Sequence, residues 1–284
     1  MPSDALHFKN TGGPVPAREI FQRANSASLP VSSPFWTGQF ARYSERYLKK
    51  HFHTLRISLS GRPPLLPGQP LIVYGNHASW WDPLVGLVLA KHFFPGRRLY
   101  APIAAAMLER YRFFKRIGFF GVEADPRRGA VQFLRTSRAV LAQADAMLWL
   151  TPQGRFADPR SRPLQFKPGI GHLATHLEDA VFVPVAVEYT FWEERTPEIL
   201  VRFGEPILVR KGRTLWDSDE WARQLEHNLE EALNALALES QARNPAAFQT
   251  LLHGRSGVGG VYDWWRSLRS RWRGESFSRE HGTL

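Results

Sequence analysis

Cysteine is absent from the 284 residues. That excludes disulfides, thiolate nucleophiles and cysteine-type zinc sites, while leaving the redox compartment open. Long hydrophobic runs are absent too. The longest uncharged apolar stretches, "PLVGLVLA" and "AVFVPVAV", fall far short of the ~20 residues a membrane span needs. The first residues lack a basic segment followed by an apolar one, so no secretory signal is expected. Internal repeats and long low-complexity runs are also missing. The expectation is a protein that is soluble or lies on a membrane surface.

What is present is apolar residues and positive charge. Hydrophobic residues make up 43% of the chain and the formal net charge is +11. The first figure supports a substantial core and argues against wholesale disorder. The charge is uneven. Basic residues crowd 35–62 and 97–138, whereas acids predominate over 192–239. Such a basic surface attracts anions, whether nucleic acid, anionic head groups or phosphorylated substrates.

Residues 1–33, with Gly12, Gly13, Pro14 and Pro16, read as an irregular leader. Trp36, Phe40, Tyr43, Tyr47, Leu48, Phe52 and Leu55 follow helical spacing, which predicts an amphipathic interfacial helix within 34–62. "GRPPLLPG" ends it. Residues 63–242 read as an α/β domain, and 243–284 as a basic aromatic C-terminal segment. Within the domain, "PLIVYGN", "RLYAPIA", "GFFGVE", "AMLWLTP" and "AVFVPVAVEYT" read as strands. Helical stretches lie between them, from Pro83, up to Arg116, over 129–143 and over 169–177. "EILVRFGEPILV" adds one or two strands, and 219–239 forms an amphipathic helix with Leu225, Leu229, Leu233 and Leu236 on one face. This order predicts an α/β fold: a mixed, largely parallel sheet flanked by helices.

"YGNHASWWDP" carries the chemistry. "LIVYG" is a buried-strand signal, so Asn76 and His77 fall just past its carboxyl end, where open α/β sheets bind ligands. Asp82 and Pro83 read as a helix start, with Asp at the N-cap. A strand end, a short turn and a helix start bring His77 and Asp82 together. A carboxylate on one imidazole nitrogen fixes the tautomer and leaves the other nitrogen free to take a proton. Read alone, the pair fits a bland account better, in which Asp82 caps a helix and His77 is structural.

Several blocks in order resemble the glycerolipid acyltransferases, which act on glycerol-3-phosphate, lysophosphatidate and lysophospholipids. The resemblance covers about 70–209. It implies that His77 is the general base and that Asp82 orients it. The family's second block ends a strand with an arginine for the acceptor phosphate. Here "IGFFGVEADPRRG" places Arg127 and Arg128 slightly late. The third block, F-P-E-G-T-R in the family, is "LTPQGR". Gln153 stands in the Glu position, Gly154 matches, and Arg155 comes one residue early. "FKPG" then supplies Lys167 for a phosphate, and "VFVPVAVEY" resembles the fourth block, with Pro184 structural. Gln153, Gly154, Arg155, Lys167, Arg127 and Arg128 are therefore the expected acceptor- or phosphate-binding residues. Asn76, Trp80 and Trp81 are expected to line the acyl chain or substrate.

The resemblance implies transfer of a fatty acyl group from acyl-CoA or acyl-carrier protein to a lipid hydroxyl. No metal or other cofactor is expected. The partners would be a membrane lipid acceptor, an anionic membrane surface and acyl-carrier protein, without nucleic acid, at the cytoplasmic face of a membrane. The helix within 34–62 and the tail residues Tyr262, Trp264, Trp265, Arg266, Arg269, Arg271 and Trp272 suit attachment. Four alternatives stay open: a non-phosphate lipid alcohol as acceptor, a nucleic-acid binder, a metal-dependent hydrolase using His77, Asp82 and His92, and a lipid binder without turnover.

Overall fold

The computed structural model describes residues 29–63, 68–210 and 216–255. Most of the expected leader and the aromatic tail from 256 onward lie outside the described residues. Along the chain run α1 (Pro34–His51), β1 (Thr54–Ser58), β2 (Leu71–Gly75), α2 (Asp82–Phe93), β3 (Arg98–Ala104), α3 (Ala105–Arg110) and a 3-10 turn (Arg112–Arg116). They are followed by β4 (Phe119–Val122), α4 (Pro126–Leu141), β5 (Ala146–Leu150), α5 (Gly169–Thr175), β6 (Asp179–Thr190), β7 (Glu198–Phe203) and β8 (Ile207–Arg210). Helix α6 (Ser218–Ala242), a second 3-10 turn (Pro245–Ala247) and β9 (Phe248–His253) complete the order.

One mixed, mostly parallel sheet organises these elements. Its strands lie in the order β4, β3, β5, β2, β6, β7, β1, β9. The first five are mutually parallel. Strand β7 joins β6 antiparallel, β1 joins β7 parallel, and β9 joins β1 antiparallel. Strand β8 pairs with the first part of β6. Side chains alternate across the sheet. Leu71 and Val73 pack with Leu48, Val85 and Val88 from α1 and α2. Ile72 and Tyr74 pack on the opposite side with Ile170, Leu173, Trp221, Leu225 and Leu229 from α5 and α6. Each fully buried leucine contributes on the order of 2 kcal/mol, so α6 is held by its apolar stripe. Its start is set by a capping box between Asp217 and Glu220.

Pro184 sits inside β6, opposite Tyr74 of β2. Its carbonyl accepts from the Gly204 N–H at 3.0 Å, so its nitrogen faces the same side. There the neighbour changes from β8, which ends opposite Phe182, to β7, which begins opposite Val185. The missing donor therefore falls in a gap between two partners, which reconciles a proline with an interior strand.

Two boundaries depart from the sequence reading. The helix ends at His51 instead of running toward residue 62. Phe52 is already extended, and 54–58 form a strand between β7 and β9. Leu55 and Ile57 fit a strand period as well as a helical one, and burial in the sheet decides between them. The segment beyond 242 is not solely a tail either: Phe248–His253 form the sheet's last strand, with Phe248 and Leu252 buried.

Candidate active site

The carboxyl ends of β2, β5 and β6 share one edge of the sheet, and the turn after β2 carries His77. Its ring Nδ1 lies 2.7 Å from Asp82 Oδ2. The same oxygen accepts from the Ser79 N–H at 3.0 Å, and Asp82 Oδ1 accepts from the Tyr189 hydroxyl at 2.7 Å. Asp82 is 5% exposed, while the His77 side chain is 20% exposed. The acid is thus enclosed and the imidazole reaches the surface. With Nδ1 donating to the carboxylate, the Nε2 lone pair is available to accept a proton. Among the described residues no hydrogen bond to Nε2 is found.

Asp82 is not the helix cap that its position before a proline predicts. It is the first residue of α2, Trp81 holds the cap position, and no side chain caps there. The carboxylate instead turns back into the turn, where an imidazole, a backbone amide and a phenol all offer it a hydrogen. Three donors leave its charge well compensated.

Gln153 explains how the His77 turn is held. Its Oε1 accepts from the His77 backbone N–H at 3.0 Å, and its Nε2 donates to the Leu164 carbonyl at 3.2 Å. The side chain is 3% exposed. Placed at the β5 end, it ties the His77 turn to the loop 151–168 and faces inward. The Ala157 N–H completes the clamp by donating to the His77 carbonyl at 2.9 Å. Asn76 is likewise inward-facing: its amide donates to and accepts from the Val187 backbone, both at 2.9 Å. It prolongs the β2–β6 pairing with a side chain and does not line the open face.

The two tryptophans touch edge to face, with centroids 5.3 Å apart, but differ in burial. Trp81 packs among Tyr47, His51 and Phe52, whereas Trp80 is 62% exposed. Phe156, which the sequence did not single out, lies against the His77 ring with centroids 4.3 Å apart and is 60% exposed. Arg155 is exposed and donates to Gln165 Oε1. Gly154 has φ +60°, and a Cβ there would meet Lys167 Nζ at 2.7 Å. The lysine chain therefore crosses that glycine closely, on the loop beside His77. Arg127 and Arg128 occupy the exposed first turn of α4, with the Arg128 N–H donating to Asp125 at 2.8 Å. They follow β4, three strand spacings from β2, or roughly 14 Å across the sheet. A concavity of about 400 Å³ between 163–165 and α6 is lined by Pro163, Gln165, Arg223, Glu226, His227 and Glu230, not by His77.

The metal-site alternative is not supported by this geometry. His92 sits ten residues along α2 from Asp82, about 15 Å at helical rise, and its Nε2 contacts Glu45 Oε1 at 2.7 Å. Tyr189 was also missed, although a signal existed: Val185, Val187 and Tyr189 share one face of β6, the face toward α2. Burial, then the charge and hydrogen bond of Asp82, push the Tyr189 hydroxyl well above the ordinary phenol range. It therefore stays a donor.

A turn-borne imidazole on a buried carboxylate, at the edge of a mostly parallel sheet, is equipped for proton transfer. Residues 56–188 match the family model described as Acyltransferase. Over that span the chain carries an acyltransferase domain, that of the glycerolipid acyltransferase family, which supports acyltransferase activity. No curated protein matches the chain.

Proposed function

We propose that the protein transfers a fatty acyl group from the thioester of acyl-CoA or acyl-carrier protein to a lipid hydroxyl, most plainly that of a lysophosphatidate or another lysophospholipid. His77 is the general base and Asp82 orients it. The observation that carries this reading is the 2.7 Å contact between Nδ1 and the enclosed carboxylate, with the imidazole reaching the surface. The acceptor hydroxyl gives its proton to Nε2 as its oxygen attacks the thioester carbonyl. Asp82 stabilises the resulting imidazolium. The tetrahedral intermediate collapses, the C–S bond breaks, and the thiolate takes the proton back from His77. Such a base contributes roughly 10²–10⁴ in rate. Lys167 and Arg155, on the loop that clamps the His77 turn, are the nearest candidates for an acceptor phosphate; Arg127 and Arg128 stand farther along the same edge. The inward-facing Gln153 favours a second reading, in which the acceptor carries no phosphate and this block serves to position His77.

Attachment at a membrane surface is supported by α1 and its neighbour. Phe35, Trp36 and Tyr43 are exposed beside Arg42, Arg46, Lys49 and Lys50. Phe40 packs on Phe113 and Phe114, which brings the exposed Met107, Tyr111, Arg110 and Arg112 alongside. Aromatics favour the interface and guanidinium groups find anionic head groups. Among the described residues no helix is long and apolar enough to cross a membrane.

The test is an acyl-transfer screen. Labelled oleoyl-CoA and oleoyl-acyl-carrier protein are offered with lysophosphatidate, other lysophospholipids and glycolipid alcohols. Transfer to at least one, lost in His77→Ala with the fold intact by circular dichroism, is expected. Undiminished transfer by that variant would reject the mechanism.

A further inference from the structure

We infer that Tyr189 is a positioning residue for the reaction, acting on His77 through Asp82; this rests on the reading of His77 as the base. A carboxylate held at one oxygen can swing about its Cβ–Cγ bond and carry the imidazole with it. Here Oδ2 receives the His77 Nδ1 and the Ser79 N–H, and Oδ1 receives the Tyr189 hydroxyl at 2.7 Å. Both oxygens are therefore fixed, and from different sides: two contacts come from the turn after β2 and one from β6.

The third contact has a rigid origin. Tyr189 pairs with Ile199 in the β6–β7 ladder. Two residues earlier, Val187 holds the Asn76 side chain through two hydrogen bonds of 2.9 Å. The strand that carries the phenol is thus pinned to the residue preceding His77. The ring is braced by Phe52, with centroids 5.7 Å apart, and Phe52 also packs on Trp81, the neighbour of Asp82. Strand register, not a mobile loop, sets the distance from Tyr189 to Asp82. A hydrogen-bonded phenol also draws charge from the carboxylate, which weakens Oδ2 as an acceptor for the imidazole. Tyr189 therefore sets both the direction and the strength of the Asp82–His77 bond.

Tyr189→Phe keeps the ring and its packing and deletes only the hydroxyl. Losing a hydrogen bond to a charged group in this position is expected to lower kcat by about tenfold with KM unchanged, measured with oleoyl-CoA and 1-oleoyl-glycerol-3-phosphate in mixed micelles. A direct readout comes from the free protein labelled with ¹⁵N-histidine. The His77 Nδ1–H proton resonance, identified by its loss in Asp82→Asn, should move downfield in Tyr189→Phe as Oδ2 becomes the stronger acceptor. A resonance unchanged from wild type would overturn the proposal and leave Tyr189 a packing residue. Because this signal needs no substrate, it decides the role of Tyr189 whatever the acceptor. Acyl transfer surviving in His77→Ala would instead remove the reading on which the proposal rests.

Discussion

Gln153→Glu restores the residue that the family's third block carries, and the structure predicts that it harms this protein. The Oε1 bond to the His77 N–H survives, because either side chain accepts there. The other end fails. Gln153 Nε2 donates to the Leu164 carbonyl at 3.2 Å in a site 3% exposed, and a carboxylate would present an acceptor to an acceptor. A lost buried hydrogen bond with an unsatisfied group costs about 1–3 kcal/mol, and an ionised carboxylate away from water adds to it. A total of about 3 kcal/mol lowers the melting temperature of a domain this size by roughly 6–12 °C. The pH dependence has a definite sign. The neutral acid can donate its O–H to Leu164, so the folded state binds the proton more tightly than the unfolded chain does. The deficit of the variant relative to wild type is then largest near pH 8 and narrows as pH falls toward 5. Thermal unfolding followed by circular dichroism at several pH values measures this. An unchanged or higher melting temperature, or a deficit indifferent to pH, would refute the reasoning.

In the sheet beyond β6, Glu198 accepts from His53, Thr54 and Arg56. Burial alone would raise its pKa, but those hydrogen bonds and the charge of Arg56 hold it below the ordinary carboxylate range. The stability it lends is present above the unfolded-state value and lost as pH falls through the folded one. Glu198→Gln should thus cost about 2 kcal/mol at neutral pH, with the gap to wild type closing in acid, as read by urea unfolding. Gly171 lets α5 touch α6: an added Cβ would stand 1.9 Å from the Ser218 carbonyl oxygen. Gly171→Ala should destabilise by about 2 kcal/mol or more; a melting curve equal to wild type would contradict the packing. Phe156→Ala uncovers one face of the His77 ring and leaves the Asp82 contact in place. Turnover should fall by less than in His77→Ala, and an equal loss would show that Phe156 does more than shield the ring.

The strands were legible because a buried parallel strand announces itself as a short apolar run, and "LIVYG", "AMLWL" and "AVFVPVAV" are such runs. The pairing of His77 with Asp82 was legible because both lie on one local turn, so sequence spacing and spatial distance coincide. Tyr189 and the inward face of Gln153 were not, since their partners lie 107 and 76 residues away. Only the sheet order brings those positions together, and nothing in a linear pattern states which strand ends adjoin. The extension of the 34–62 helix past His51 failed for a related reason. Leu55 and Ile57 satisfy two periods at once, and the choice depends on β7 and β9, far along the chain. Asp82 misled because the Asp-Pro pair signals a cap, while the donors it takes are His77 and Ser79 of the preceding turn and Tyr189 of β6.

Strand β1 meets its partners late. Thr54 bonds to Glu198 across 144 residues, and Arg56 to Thr250 across 194. During synthesis this early strand, with Leu55 and Ile57 unburied, must wait with both backbone edges bare until nearly the whole described chain has emerged. Contacts of such long sequence separation slow folding and prolong the lifetime of sticky intermediates. Recovery of active enzyme after dilution from denaturant should therefore depend steeply on protein concentration, and a holding chaperone should raise the yield more than it raises the rate.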